Sequence, residues 1–176
     1  MTEYAVLTAI GEDRPGLVNE ISKLIHQAGC NIEDSRMAVL GGDFAMLILV
    51  AGEKAGLDKV RDAASATGQR VGLTVQMRPT HKPGMPAKAL PYDLRAYAMD
   101  HPGIVQRVAE YLAARKINIR AMDTRVTEAP HTGQPLFSLH AQVDIPAPEN
   151  VAEIRRGLSA IGAEENIDLE LKPAQG

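Results

Sequence analysis

Two short turns carry the residues of this chain whose types could bind a small charged molecule. Asp13-Arg14-Pro15-Gly16-Leu17 follows an apolar run, and Asp100-His101-Pro102-Gly103-Ile104 repeats the pattern 87 residues later. Each turn leads into a helical pattern, and the first N–H groups of a helix lack internal acceptors. They lie at the positive end of the helix dipole, where a carboxylate is favoured. Because glycine has no Cβ, it leaves the approach to these groups open.

Two asparagines extend this pattern. Asn31 and Asn118 follow the two helices, begin the next strands and are again 87 residues apart. An asparagine side chain offers both a donor and an acceptor. Turn and asparagine together therefore predict a site for a small zwitterion, with its carboxylate on the turn amides and its ammonium on the asparagine or on carbonyls. A purely structural interpretation stays open, in which the aspartates cap helices, the glycines relieve crowding and the asparagines fix a bend.

Composition narrows the function classes. Aromatic residues make up 3% of the chain and tryptophan is absent, whereas single-stranded nucleic-acid platforms stack bases on aromatic side chains. The net charge is −3 and lysine and arginine form no cluster, so we expect no direct nucleic-acid contact. No apolar run approaches about 18 residues, and the single cysteine, Cys30, suits a reducing compartment. The expectation is a cytoplasmic protein without a membrane contact.

Catalytic and metal-binding signatures are missing from the sequence. The five histidines stand at no metal-ligand spacing with each other, with Cys30 or with a carboxylate; they are His26, His81, His101, His131 and His140. Cys30 lies between a helix end and a strand, which favours a small buried side chain over a nucleophile. No nucleophile elbow, phosphate loop or dinucleotide fingerprint is present. The sequence therefore predicts no catalytic residue, no metal site and no cofactor.

The first half of the chain predicts the order β-α-β-β-α-β, the split βαβ arrangement. We expect strands at 4–11, 31–40, 44–50 and 71–77. The first helix begins near Pro15, is capped by Asp13 and ends at Gly29, and it carries a buried stripe formed by Leu17, Ile21, Leu24 and Ile25. Gly41-Gly42 predicts a hairpin turn, and the apolar run that follows predicts a central strand. A second helix is expected around residues 57–64.

The second half repeats this plan, with strands expected at 94–99, 118–127, 136–145 and 168–172. Between the two halves, Pro79 to Pro91 contains four prolines and a glycine and predicts a linker without regular structure. The expected domains are 1–78 and 92–173, joined by the linker 79–91 and followed by a loose tail, 174–176. The predicted fold class is α+β, with two ferredoxin-like βαββαβ domains in tandem.

The turn Asp13–Val18 and the run Gly29–Arg36 resemble the ACT domain. The second half resembles it more generally, through Asp100–Val105 and Ile117–Ile119. This resemblance implies amino-acid sensing at the helix-start turns and control of a transcriptional activator protein by protein contact. It implies ligand-binding roles for the turn residues and asparagines, which are Asp13, Arg14, Pro15, Gly16, Leu17, Asn31, Asp100, His101, Pro102, Gly103, Ile104 and Asn118. We also expect a homo-oligomer, because ferredoxin-like units expose sheet edges and helix faces that can pair between copies or chains.

The two copies differ within these segments. His101 stands where the first copy has Arg14, and 120–123 reads Arg-Ala-Met-Asp where 33–36 reads Glu-Asp-Ser-Arg. The two turns therefore need not bind the same molecule. The favoured hypothesis is a non-catalytic regulator that binds a small amino acid such as glycine. The alternatives are a protein-interaction module without a small ligand, and a relative of the enzymes in which an ACT domain precedes a catalytic domain.

Overall fold

The computed structural model describes residues 1–82, 89–130 and 132–174, which form two compact units. Unit 1 spans Met1–Gly84 and unit 2 spans Met85–Gly176, so the division falls inside the proline-rich segment. Each unit has the predicted order β-α-β-β-α-β. Unit 1 comprises β1 (Thr2–Glu12), α1 (Leu17–Gln27), β2 (Asn31–Leu40), β3 (Asp43–Glu53), α2 (Lys54–Val71) and β4 (Leu73–Thr80). Unit 2 comprises β5 (Ala89–Met99), α3 (Ile104–Ala114), β6 (Asn118–Glu128), β7 (Pro135–Pro146), α4 (Val151–Glu165) and β8 (Ile167–Pro173).

Each unit contains one four-stranded antiparallel sheet. The strand order is β2-β3-β1-β4 in unit 1 and β6-β7-β5-β8 in unit 2. The apolar strand β3 lies between β2 and β1, which confirms its predicted central position. Both units therefore have the α+β, ferredoxin-like fold that the sequence predicts.

Alternating side chains explain why the helices cover one face of each sheet. Along β1, Leu7 and Ala9 are buried whereas Thr8 and Ile10 are exposed. The core of unit 1 combines buried residues of β1, β3 and β4 with the apolar faces of α1 and α2. The core of unit 2 combines the corresponding elements β5, β7, β8, α3 and α4. The second face of each sheet lies away from the helices, and we call it the open face.

The predicted linker is wrong at both of its ends. β4 continues to Thr80 and β5 begins at Ala89, so Pro79 and Pro91 both lie in strands. β4 is an edge strand, where a missing N–H is tolerated, and Pro91 lies before the register at which β8 joins β5. The middle of the linker, 83–88, lies outside the described residues. So do residues 175 and 176 of the predicted tail, whereas the Ala174 N–H donates to the Pro91 carbonyl at 3.1 Å.

Two further boundaries differ from the prediction. The fourth strand begins at Leu73, because Val71 is the last residue of α2 and Gly72 ends that helix in a left-handed conformation. The first helix begins at Leu17 rather than near Pro15. Within the described ranges, no helix has the length and apolar character that crossing a bilayer requires.

Candidate functional site

The turn before α1 places a glycine at the helix N-cap. Gly16 has φ 95° and ψ −8°, and its counterpart Gly103 before α3 has φ 100° and ψ −11°. Neither helix has a side-chain cap, so the prediction that Asp13 caps the first helix is wrong. The prediction fails because the N-cap residue is Gly16, which is left-handed and separates Asp13 from the first helical residue, Leu17. Glycine is favoured here because other residues rarely adopt this φ.

The first N–H groups of both helices lack internal acceptors among the described residues. The first bond of α1 runs from the Glu20 N–H to the Gly16 carbonyl at 3.0 Å, and that of α3 from Arg107 to Gly103 at 2.9 Å. In the described part of the chain, no group accepts from the three earlier helical N–H groups of either helix, which belong to Leu17, Val18 and Asn19 and to Ile104, Val105 and Gln106. These donors satisfy the electrostatic requirement for binding a carboxylate.

Open space surrounds both glycines. A Cβ built on Gly16 or Gly103 would meet no atom within 4 Å. These two positions therefore require glycine because of their φ and not because of crowding. This contradicts the part of the purely structural interpretation in which the glycines relieve crowding. By contrast, the side chains of Leu17 and Ile104 are buried to 2% exposure, so only their backbone groups are available to a ligand. Pro15 and Pro102 lie in the turns, one residue before the N-cap glycines.

A β-hairpin lies beside each turn, and sequence reasoning missed it as part of the site. The Asp13 N–H donates to the Gly42 carbonyl and the Asp100 N–H to the Pro135 carbonyl, each at 2.9 Å. In unit 1 this hairpin is the predicted two-residue turn, with Gly41 at φ 61° and Gly42 at φ 93°. The connection in unit 2 is longer, between the end of β6 and the start of β7. The antiparallel pairing of β1 with β3 could have indicated this neighbour.

Arg14 and His101 make the same contact in the two units. The Arg14 guanidinium donates from Nη2 at 3.0 Å and from Nε at 3.3 Å to the carbonyl of Val71, the last residue of α2. His101 Nε2 lies 3.3 Å from the carbonyl of Glu165, the last residue of α4. A helix C-terminus favours such donors. In this structure both side chains therefore link the turn to the end of the second helix, and the sequence difference between them preserves the contact.

The asparagines lie far from the turn of their own unit. Asn31 is opposite Ala51, which is itself opposite Tyr4, whereas the turn follows Glu12 at the other end of β1. Eight strand residues separate these levels, about 26 Å at 3.3 Å per residue. The prediction that turn and asparagine hold one zwitterion within a single copy is therefore wrong. Asn31 Nδ2 instead donates to Glu33 Oε1 at 3.2 Å.

Asn118 occupies the equivalent place in unit 2. It begins β6 opposite Asp144 of β7, whereas the turn follows Met99 at the other end of β5. The sequence contained the signal for this separation, because an eleven-residue helix rises about 16 Å between each turn and its asparagine.

A charge pair joins the two helices of each unit near the turn, with its signs exchanged. Arg70 of α2 donates to Glu20 of α1 at 2.7 Å, and this hydrogen bond lowers the pKa of the Glu20 carboxyl. In unit 2, Arg107 of α3 lies 3.1 Å from Glu164 of α4. An ion pair thus joins the two helices beside the turn in both units. The positive charge lies on the second helix, α2, in unit 1 and on the first helix, α3, in unit 2.

Other chemistry is sparse in the described residues. Cys30 is buried, and burial raises the pKa of its thiol, which disfavours the reactive thiolate. Across residues 1–82, 89–130 and 132–174, no three His, Cys, Asp or Glu side chains cluster as metal ligands would. His131 lies outside the described residues. Four surface cavities of about 130 to 230 Å³ are lined by residues other than those of the turns.

Comparison with known proteins identifies the fold family. The ACT domain family matches residues 3–78 and residues 92–156. The glycine cleavage system transcriptional repressor of Escherichia coli (strain K12) is 31% identical over 168 residues, which cover 93% of this chain and 86% of that protein. The chain belongs to the ACT-domain family.

Two further similarities concern one ACT domain and the tandem pair. A UPF0237 protein of Methanopyrus kandleri is 40% identical over 73 residues, which cover 40% of this chain and 81% of that protein. The crystal structure of an unknown protein from Galdieria sulphuraria has a TM-score of 0.82 and 30% identity, and the match covers 99% of this chain and 100% of that one. As a tandem ACT protein similar to a transcriptional repressor, the chain has a regulatory role.

Proposed function

We propose that this tandem ACT protein is a non-catalytic regulator that binds a small amino acid, glycine foremost, and modulates a transcription factor of the glycine cleavage system through protein contacts. Ligand binding is supported by one observation: the first N–H groups of α1 and α3, directly after Gly16 and Gly103, have no acceptor in the part of the chain that the structure describes. Each presents three N–H donors at the positive end of a helix, beside open space. The similarity to the Escherichia coli repressor supports the assignment to the glycine cleavage system.

We assign the contacts of such a ligand as follows. Its carboxylate accepts from the free N–H groups at the start of α1 or α3, and the hairpin carbonyl surface lies next to the turn. Asn31 and Asn118 do not close on a ligand bound at the turn of their own unit, because each lies at the opposite end of its sheet. Within one unit the carboxylate is therefore the group that is recognised.

Thermal unfolding across a panel of amino acids tests ligand binding. A ligand present at about 100 times its Kd adds about 2.7 kcal/mol to the free energy of unfolding. We expect glycine to raise the melting temperature and glycinamide, which lacks the carboxylate, to leave it unchanged. A melting temperature that is the same with every amino acid would contradict the proposal.

A matched pair of substitutions distinguishes the two turns. Val18 and Val105 occupy the second helical position of α1 and α3, and each is 39% exposed. In Val18→Asp the new carboxylate competes with a bound carboxylate at the helix start while stabilising the helix by about 0.3–1 kcal/mol. We expect it to remove the response of unit 1, whereas Val18→Asn, which carries no charge, retains it. Val105→Asp makes the same test in unit 2.

Contact with a protein rather than with DNA is tested separately. The net charge of −3 and the scattered basic residues support contact with a protein partner. In a mobility-shift assay with the promoter of a glycine cleavage operon, we expect the purified protein alone to leave the DNA unshifted. Together with the transcriptional activator of that operon it should change the activator's shift. A shift by the protein alone at physiological salt would contradict this part of the proposal.

The position of the cavities favours a second candidate, an interaction module that has no small ligand. None of the described cavities is lined by a turn residue, although one is lined by the Glu20–Arg70 pair near the turn of unit 1, and another lies on the open face of unit 1. In that case the unsatisfied N–H groups bind water. Co-purification with the activator, together with unchanged melting temperatures, would favour this candidate over the amino-acid sensor.

A further inference from the structure

The open face of unit 1 has an ordered pattern of side chains. The strand register places its residues in three rows that run across β2, β3, β1 and β4. From β2 to β4 the rows are Asp34–Leu49–Val6–Arg78, Arg36–Leu47–Thr8–Gln76 and Ala38–Ala45–Ile10–Thr74. The residues next along these strands, such as Leu7 and Ile48, are fully buried against the helices. The alternation therefore assigns the three rows to the open side of the sheet.

The centre of this face is apolar and accessible. Leu47 is 48% exposed and Ile10 is 54% exposed. Val6, Leu47 and Leu49 also line a shallow cavity of about 210 Å³, together with Asp34 and Arg36. A contiguous apolar patch with a charged rim is typical of a surface that contacts another protein.

The charges of the first row make this face complementary to itself. Asp34 lies at the β2 edge and Arg78 at the β4 edge, with Leu49 and Val6 between them. A two-fold axis parallel to the strands reverses the strand order and preserves the level of each row. It therefore places β2 over the partner's β4 and β3 over the partner's β1. Asp34, which also accepts a hydrogen bond from Arg36 of its own unit at 2.6 Å, then faces the partner's Arg78, and Leu49 faces the partner's Val6.

We propose that the open face of unit 1 is a two-fold interface on which a second copy of this chain packs sheet against sheet. The sheets stack about 10 Å apart at the angle of about 30° that twisted sheets adopt. Val6, Leu47 and Leu49 of both copies form the buried centre. Asp34 and Arg78 form two symmetric ion pairs at the rim. This interface is independent of the amino-acid proposal, because it uses none of the turn residues.

The size of the face sets the expected affinity. Four strands about 4.8 Å apart and about seven residues long give a footprint of about 400 Å² on each partner. Counted over both partners, this is about 800 Å², which is below the lower limit of about 1,000 Å² for stable specific interfaces and in the range of weak, transient ones. We therefore expect a dimer with a micromolar Kd rather than a permanent one.

The open face of unit 2 provides a matched control. The same positions read Ala121–Gln142–Asp93–Lys172 and Asp123–His140–Arg95–Glu170. Polar and charged side chains occupy the centre of this face, and ion pairs within the unit occur on both open faces, since Arg36 Nη1 lies 2.6 Å from Asp34 Oδ1 in unit 1. Lys172 lies 2.6 Å from Glu170, and His140 Nε2 lies 3.5 Å from Asp93. Lys172 corresponds to Arg78, but alanine stands where unit 1 has Asp34, so this face lacks the self-complementary pair.

Charge reversal tests the interface by sedimentation velocity from micromolar to millimolar protein. In the Arg78→Glu variant, a glutamate faces the partner's Asp34 at both rim positions of the dimer. We expect this repulsion to weaken self-association at least tenfold. Asp34→Arg opposes the partner's Arg78 and does the same. A mixture of the two variants restores association, because both rim pairs are again of opposite sign in the mixed dimer. Lys172→Glu on unit 2 leaves self-association unchanged.

Each alternative result would overturn the proposal. One is a wild type that stays monomeric up to millimolar concentration, and another is an assembly that Arg78→Glu does not weaken. A third is a mixture of the two variants that associates no better than each variant alone, which would show that positions 34 and 78 do not face each other between copies. Circular dichroism of each variant separates lost association from lost folding. Melting curves with glycine, measured on the same variants, keep this result distinct from the ligand proposal.

Discussion

In unit 1 the middle of the open sheet face is formed by Val6, Leu47 and Leu49, whereas the same register positions in unit 2 hold Asp93, His140 and Gln142. The opposite faces of both sheets are packed with apolar residues against two helices. The difference shows which part of this fold is free to change. A core position must fill its space with apolar atoms, but an open-face position must only be compatible with a strand. Repeated folding requirements therefore coexist with two different surfaces.

Exchanging the centres of the two faces should have the largest effect. Val6→Asp with Leu49→Gln gives unit 1 the centre of unit 2. We expect the Kd of self-association to rise about hundredfold, or about 2.8 kcal/mol, because an unpaired charge would be buried at the interface. Sedimentation equilibrium measures this change. Asp93→Val with Gln142→Leu is the control on unit 2 and should not weaken the dimer; a loss in both double variants would contradict the assignment to unit 1.

A second contrast lies between the helices. Tyr111 on α3 donates to the Ile154 carbonyl at 3.0 Å and lies over Gly157 of α4, whose Cβ would be only 2.0 Å from the hydroxyl. Unit 1 has Leu24 and Ala63 at the corresponding places. We expect Gly157→Ala to cost about 1–3 kcal/mol of unfolding free energy by overpacking. In urea unfolding, Tyr111→Leu should make Gly157→Ala nearly neutral, as in unit 1; costs that simply add would contradict this contact.

The contact that the two units share should give a smaller effect. Arg14→Ala and His101→Ala each remove donors to the last carbonyl of the second helix, and we expect each to cost about 0.5–1.5 kcal/mol. Arg14→His gives unit 1 the residue of unit 2 and should retain part of the stability. Thermal unfolding of the three variants checks this order. If Arg14→His were as destabilising as Arg14→Ala, the two side chains would not be equivalent.

The smallest expected effect concerns the exchanged ion pair. Glu20→Arg and Arg70→Glu should each lower the melting temperature slightly, and the double variant, which has the charge order of unit 2, should recover it.

The pKa of Glu20 is lowered in the folded state, so its stabilisation is fully present above the ordinary pKa of 4.5 and is lost as pH falls through the pKa of the folded state. The difference between wild type and Glu20→Gln should therefore shrink in acid; a constant difference would exclude this cause.

Much of the fold could be predicted because local patterns determine it. The start of β2 at Asn31 and the hairpin at Gly41-Gly42 follow from turn residues and apolar runs, and the structure confirms both. The helix start could not be predicted to the residue. Pro15 is compatible with a first helical turn, and only the positive φ of Gly16 moves the start to Leu17.

The candidate site could be predicted only in part. The two turns are recognisable from Asp-x-Pro-Gly alone, but the partner of Arg14 is a carbonyl 57 residues away in the sequence, and that of His101 is 64 residues away. No local pattern encodes such contacts, because they depend on how α2 and α4 end beside the turns. Ligand binding by the turn residues stays a prediction, and the asparagines belong to the other end of each sheet.

The contacts of Arg14 and His101 connect each turn to a distant part of its own unit. The turn backbone is held to the hairpin by one hydrogen bond and to the end of the second helix by the side chain. A displacement of the turn by about 1 Å would stretch such bonds beyond their normal length of about 3 Å. If the turns bind the proposed amino acid, its binding at the start of one helix would change the hydrogen bonding at the end of another helix of the same unit.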